Sequence, residues 1–210
     1  MVNDLRPDLI ALAGDFVSLS LVPYNGEKDA AVAEPCSELL RQMQAPHGLW
    51  AVLGNHDVST APRLVIGALQ TRGIRVLLNQ SVAIEQNGAR FWLAGVNDVL
   101  SRSSDLSATL DGVPSDEATI LLAHEPDYAD YTSRHPVDLQ LSGHTHGGQV
   151  RLPLIGPLYL PEMGRKYILG LYEVGLLTLY TNAGLGTLRV PVRFNCPPEI
   201  TLLTLTRSAA

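Results

Sequence analysis

Cysteine, net positive charge and long apolar runs are all scarce in this sequence of 210 residues. The two cysteines, Cys36 and Cys196, lie too far apart in the chain to build a disulfide framework and read as ordinary thiols, which permits a reducing compartment. A net charge of -6 excludes a protein that coats nucleic acid, because that task needs a basic face to displace counterions. No apolar run approaches the roughly eighteen residues needed to cross a bilayer. Residues 1 to 8 have neither the basic start nor the apolar core of a signal peptide, so a cytoplasmic or membrane-associated location is expected, with any export signal or anchor lying upstream of Met1. Internal repeats and low-complexity linkers are missing too, and the length suits one domain spanning 1–210.

Several catalytic signatures are likewise missing. There is no Gly-x-Ser-x-Gly elbow and no Walker loop, and Gly184-Leu-Gly-Thr-Leu-Arg lacks the last glycine of a dinucleotide fingerprint. Charge is unevenly spread. Residues 151–210 carry 6 Lys/Arg against 3 Asp/Glu, in contrast to 9 against 18 before them. A solvated surface explains this most simply. The sharper reading is that Arg151, Arg165, Lys166, Arg189 and Arg193 face an anionic substrate or lipid headgroups, giving peripheral membrane contact through the basic C-terminal region.

What is present is a repeated arrangement of short apolar runs that end in a polar cluster. The run from Asp8 ends at Gly14 and Asp15; that from Leu49 ends at Gly54, Asn55, His56 and Asp57. The run from Ala118 ends at His124, and that from Val137 ends at Gly143, His144, Thr145 and His146. Each run is of strand length, and helical stretches are expected at 30–43 and 61–72, closed by Pro46 and Gly73. Strand and helix alternate, as in α/β architecture, where loops at the carboxyl ends of strands share one ligand-binding edge. An Asn-Gly hairpin is expected around 86–89, and β-rich pieces at 170–175, 176–180 and 200–205 suggest a second sheet packed on the first.

The polar clusters carry the chemistry. Asp15 alone reads most simply as a cap or turn residue, and Gly54 to Asp57 reads equally as a polar turn. His144 and His146, flanked by glycines, point more firmly to metal ligation, and His124 supplies a third imidazole. Asp15, Asn55, His124, His144 and His146 form an oxygen and nitrogen set without thiolate, which suits Mn, Fe or Zn. His47 and His135 sit beside prolines and read as surface residues. Asp98 reads first as a turn residue and second as a substrate contact. Two cations about 3.5–4 Å apart would clamp phosphate oxygens and acidify a shared water, so the set favours phosphate ester hydrolysis.

Gly-Asp, Gly-Asn-His-Asp, His and Gly-His-Thr-His in this order resemble the calcineurin-like metallophosphoesterases over essentially the whole chain. The stretches 141–149, 184–187, 191–193 and 198–200 are similar to a bacterial branch with membrane-associated and twin-arginine-exported members, some of which hydrolyse UDP-2,3-diacylglucosamine in lipid A synthesis. The resemblance implies two packed mixed β-sheets flanked by helices and two divalent cations. It also implies that Asp15 bridges both cations, that Asn55, His124 and His144 complete one site, and that His146 serves the other. His56 would be the general acid or phosphate contact, oriented by Asp57. The substrate would be a small-molecule or lipid-linked phosphate ester. The family's first motif, Asp-x-His at the end of a first strand, does not precede Asp15. The chain is therefore read as lacking that strand, N-terminally incomplete, with about one well-liganded site and, as the alternative, a catalytically impaired one-metal protein.

Overall fold

The computed structural model describes residues 1–18, 31–86, 88, 90–188 and 190–206 together with Ala89. Its elements run β1 (Ile10–Leu12), α1 (Ala33–Leu40), β2 (Leu49–Ala51), α2 (Asn55–Thr60), α3 (Pro62–Gln70), β3 (Arg75–Val76), β4 (Gln80–Gln86) and β5 (Ala89–Gly95). They continue through α4 (Leu106–Thr109), β6 (Thr119–Leu122), α5 (Ala129–Thr132), β7 (Leu139–Ser142), β8 (Arg151–Leu152), β9 (Gly156–Pro157), β10 (Gly170–Val174) and β11 (Leu177–Thr181).

These strands form two main sheets. The smaller has the order β1-β2-β3 and the larger β10-β11-β7-β6-β5-β4. Of the two, only the larger is mixed. Its centre, β5, β6, β7 and β11, is parallel, with antiparallel β4 and β10 at the edges, whereas the smaller sheet is wholly parallel among the described residues. The expectation of two mixed sheets is corrected in that respect.

Burial explains the layering. In β6 the alternation sends Ile120 and Leu122 into the core between the sheets, and Leu121 and Ala123 into the core on the outer face. A continuous apolar run is therefore buried on both sides, as parallel strands require. Trp50, Val52 and Leu77 fill the space between the sheets from the smaller one. Its other face packs Ile10, Leu49 and Ala51 against Val65, Ala68 and Leu69 of α3 and Ala33 of α1. The result is helix, sheet, sheet, helix.

Local signals account for most element ends. Proline at the first position of α3 has no N–H to leave unpaired. Gly73, at φ 77°, adopts the left-handed conformation that lets the N–H groups of Gly73 and Ile74 donate back to Gln70 and Leu69. The helix expected at 30–43 spans only Ala33–Leu40, and residue 30 lies outside the described residues. The hairpin expected around 86–89 is present as β4 and β5, with Asn87 outside the described residues.

One strand expectation fails. Residues 200–205 pair with no strand among the described residues, and Leu202, Leu203 and Leu205 are exposed. Apolar composition marks a segment fit for a sheet, but a strand also needs a partner edge for its ladder.

Candidate metal centre

The four ligand-bearing runs do not lie side by side in one sheet, as expected. β1 and β2 belong to the smaller sheet, β6 and β7 to the larger, and their carboxyl ends meet across the gap between the two layers. Asp15 follows β1, Asn55 to Asp57 follow β2, His124 follows β6, and His144 follows β7. Ligand atoms of Asp15, His124 and His144 lie within 4.8 Å of one another.

The hydrogen bonds of the two imidazoles set their tautomers. His124 donates Nδ1–H to the carbonyl of Ala13 at 2.5 Å, which leaves Nε2 facing Asp15 Oδ2 at 3.2 Å. That nitrogen is sealed from solvent and makes no well-aligned hydrogen bond. His144 donates Nε2–H to the carbonyl of Glu162 at 2.7 Å and thereby turns the Nδ1 lone pair towards Asn55 Oδ1, 3.0 Å away. Two acceptors at that distance repel unless a cation is shared between them. Main-chain carbonyls that fix ring orientation from behind are what metal-ligating histidines use. The donor set and this orphaned geometry fit a divalent cation held by Asp15, Asn55, His124 and His144.

Electrostatics agree with the geometry. Burial disfavours the carboxylate of Asp15, yet His124 against it holds its pKa well below the usual carboxylate range. Burial also opposes charge on His124, but Asp15 pushes it up to about 10. His144 moves the other way. Burial, with the like charge of His124 added, pushes it down to about 4. Without a cation, then, the site holds a proton on His124 at pH 7, and a cation must displace it. Apparent metal affinity is expected to rise about tenfold per pH unit between pH 6 and 8, with about one proton released per cation. Calorimetry in buffers of different ionisation enthalpy measures this release; none at pH 7 would show that His124 is already neutral.

Asp57 gathers main-chain donors from both loops. Its Oδ2 accepts the N–H of Asp15 at 2.8 Å and of Gly54 at 2.9 Å; its Oδ1 accepts those of Phe16 at 2.8 Å and Val17 at 3.1 Å. Both oxygens thus accept main-chain N–H groups, and Asp57 staples the β1 and β2 loops together. Burial, and then the Asp15 carboxylate, raise its pKa against those four donors. His56 is buried, and its own N–H donates to Asp15 Oδ1 at 3.1 Å, at the amino end of α2.

Two glycines make the close approach possible. Gly14 sits at φ 96°, and a Cβ there would stand 2.5 Å from Gly54 N and 2.7 Å from His124 Nδ1. Gly54 has ordinary extended dihedrals of -96° and 174°, so only space forbids a side chain. A Cβ would overlap Asp15 Oδ1 and stand 2.7 Å from His124 Cε1. Gly54→Ala is expected to reduce bound metal to less than about one tenth while costing about 1–3 kcal/mol in stability. Metal analysis beside thermal unfolding tests it, and full metal content in the variant would contradict the packing.

The remaining candidates sort as follows. His146 stands outside the group of Asp15, His124 and His144, at φ 52° in the turn His146–Gly148. Burial lowers its pKa, with Asp15 and Arg193 acting on it in opposite directions. Arg193 is no free anion contact. Its guanidinium donates to the carbonyls of Ala183 at 2.7 Å, Gly186 at 2.6 Å and His146 at 3.1 Å, a fork of donors closing a ring of main-chain acceptors. Arg151 donates to Gly147 O at 3.0 Å, and Lys166 pairs with Asp130 at 2.6 Å. Three of the five cations noted in the sequence are thus engaged within the chain; Arg165 is exposed, and Arg189 lies outside the described residues.

Asp98 is a buried turn residue whose Oδ2 accepts the N–H of Ser101 at 2.6 Å. Burial, with the neighbouring Asp98 carboxyl adding to it, pushes Glu125 up to about 8. Glu125, beside His124, and the carbonyls of Ala13 and Glu162 were not legible in advance, since main-chain acceptors leave no mark in a sequence. His135 contacts Tyr131, and His47 bonds Gln86 at 2.7 Å, both away from the centre.

Comparison with known proteins identifies the family. The family model for calcineurin-like phosphoesterases matches residues 1–148. The chain is similar to the uncharacterized metallophosphoesterase YkuE of Bacillus subtilis, with 39% identity over 97% of this chain and 70% of that protein. It is similar to the phosphodiesterase YaeI of Escherichia coli, with 37% identity over 95% of this chain and 71% of that one. A Bos taurus transmembrane protein with a metallophosphoesterase domain is 32% identical over 98% of this chain and 47% of its own length.

Proposed function

The chain belongs to the calcineurin-like phosphoesterase family, and from that premise we propose that it hydrolyses phosphodiesters or related phosphate esters through a metal-activated water. The observation that carries this is the facing of two acceptors, His144 Nδ1 and Asn55 Oδ1 at 3.0 Å, beside the buried, unpartnered Nε2 of His124. The 37% identity to the phosphodiesterase YaeI supports the diester preference.

When bound, a divalent cation supplies Lewis acidity for phosphate oxygens and lowers the pKa of its water. Asp15, Asn55, His124 and His144 hold one such cation in this reading. His146 would serve a second cation. His56, whose main-chain N–H holds Asp15, would supply the imidazole that donates a proton to the leaving oxygen or binds a phosphate oxygen. Asp57, by holding the N–H groups of Asp15 and Gly54, keeps the Asp15 carboxylate and the Asn55 loop in register.

Hydrolysis of bis(p-nitrophenyl) phosphate with added Mn or Zn, and its loss on chelation, is the direct assay. His56→Ala is expected to slow turnover about 10²–10³-fold with metal retained. Loss of the metal would instead make His56 a ligand, and a metal-loaded chain inert towards both diesters and monoesters would sink the catalytic reading. That last outcome would favour a one-metal binding protein, a reading supported by the position of His146 outside the three-residue group.

A further inference from the structure

Beside the metal centre the chain projects a short hairpin that its own core does not explain. β8 and β9 pair antiparallel, Arg151 with Pro157 and Leu152 with Gly156. At the tip, Leu154 is as exposed as in an extended peptide, at 108%, and Ile155 is 72% exposed; Leu158 and Tyr159, at the exit, are more than half exposed. Single exposed apolar residues are ordinary, but four large ones on one hairpin and its exit form a patch that water disfavours. Residues 149–161 contain no Asp or Glu.

The hairpin is anchored to the site on both sides. At its base, Arg151 Nη1 donates to Gly147 O at 3.0 Å, and Leu158 N donates to Val150 O at 3.0 Å. Gly148 packs so closely on Pro157 that a Cβ there would overlap the ring. At its exit, Glu162 supplies the carbonyl that holds His144 Nε2. Gly164 then lies where a Cβ would be 3.2 Å from His144 Cδ2.

We propose that this hairpin inserts into the interface of a phospholipid bilayer, so that the centre beside it works on the phosphate ester of a membrane-embedded lipid. The substrate half of this proposal rests on the phosphoesterase reading; the membrane half does not. Geometry favours a bilayer. Leu154 and Ile155 form the turn directly before Gly156 and Pro157, so the apolar tip is tied to the site through the Gly148 contact by a single short turn. Interfacial segments bury their apolar parts about 5–10 Å below the headgroups, a shallow depth that suits a short apolar turn. Tyr159 has the apolar body and polar tip suited to that boundary, and the absence of carboxylates removes repulsion from anionic headgroups. A protruding tip only a few residues wide offers little flat area for a stable protein partner.

The test is cosedimentation with vesicles of phosphatidylethanolamine and phosphatidylglycerol, for the parent chain and for Leu154→Ser/Ile155→Ser. The parent is expected to bind, and to stay bound in high salt because apolar insertion is not screened. The double variant should bind about 100-fold more weakly, the order expected for two aliphatic side chains kept out of an apolar phase. Its thermal midpoint and its hydrolysis of water-soluble bis(p-nitrophenyl) phosphate should match the parent's. Failure of the parent to bind vesicles, equal binding by the variant, or a dimer in light scattering that the variant dissolves would each overturn the proposal. If both proteins are inert towards the soluble ester while only the parent binds vesicles, the membrane half stands and the catalytic reading falls.

Discussion

His124→Ala is expected to empty the centre of tightly held metal, from about one equivalent to less than a tenth, and to lower diester hydrolysis about 10³-fold or more. The argument is one of position. His124 Nε2 is buried 3.2 Å from Asp15 Oδ2, and its ring is aimed by the Ala13 carbonyl on the far side. No neighbouring side chain can take its place, because Gly14 and Gly54, which crowd it, have none. Alanine would also leave the Ala13 carbonyl without its donor and Asp15 without the positive partner that favours its ionised form. His135→Ala is the control. That ring contacts Tyr131 at the surface, so its loss should change neither metal content nor rate. Metal analysis with steady-state kinetics reads both variants, and retention of metal by His124→Ala would remove this residue from the ligand set.

Asp57→Ala is expected to cost on the order of 3–5 kcal/mol, more than a typical single substitution, and to abolish metal binding with it. Four main-chain N–H groups, those of Asp15, Phe16, Val17 and Gly54, would lose their acceptor together. Asp57 is wholly buried, so water reaches the vacated donors only if the loops part. Asp57→Asn keeps one side-chain oxygen for two of the four donors and should fall between alanine and the parent. Asp116→Ala, at an exposed position, should stay within about 0.5 kcal/mol of the parent. Urea denaturation followed by far-UV circular dichroism gives the three values. If Asp57→Ala unfolded at the same midpoint as Asp116→Ala, the stapling role would be refuted.

These two expectations separate what each level of description contributes. The imidazole of His124 was legible as a ligand from an apolar run that stops at a polar residue, repeated four times along the chain. The role of Asp57 was not. In the sequence it is a carboxylate one residue from a histidine, which suggests a side-chain partnership. In the fold, α2 turns it inward to amides contributed from 40 to 42 positions earlier in the chain and from Gly54, three residues back. Hydrogen-bond partners at such separations have no local signature.

The sequence by itself determined the strands, since runs buried on both faces must be continuously apolar, and it determined which residue types stand at their ends. It determined the oxygen and nitrogen character of the centre, while the need for glycine at positions 14 and 54 came from the packing. Only the tertiary structure decided that β1 and β2 lie in one sheet and β6 and β7 in the other, so that the cation site sits between layers. It alone decided that Arg193 closes a loop, that residues 200–205 form no ladder among the described residues, and that Leu154 protrudes. The physical reason is the same throughout. Periodicity and side-chain chemistry act within a few residues, whereas partner edges, ring tautomers and exposure depend on which distant segments the cores bring together.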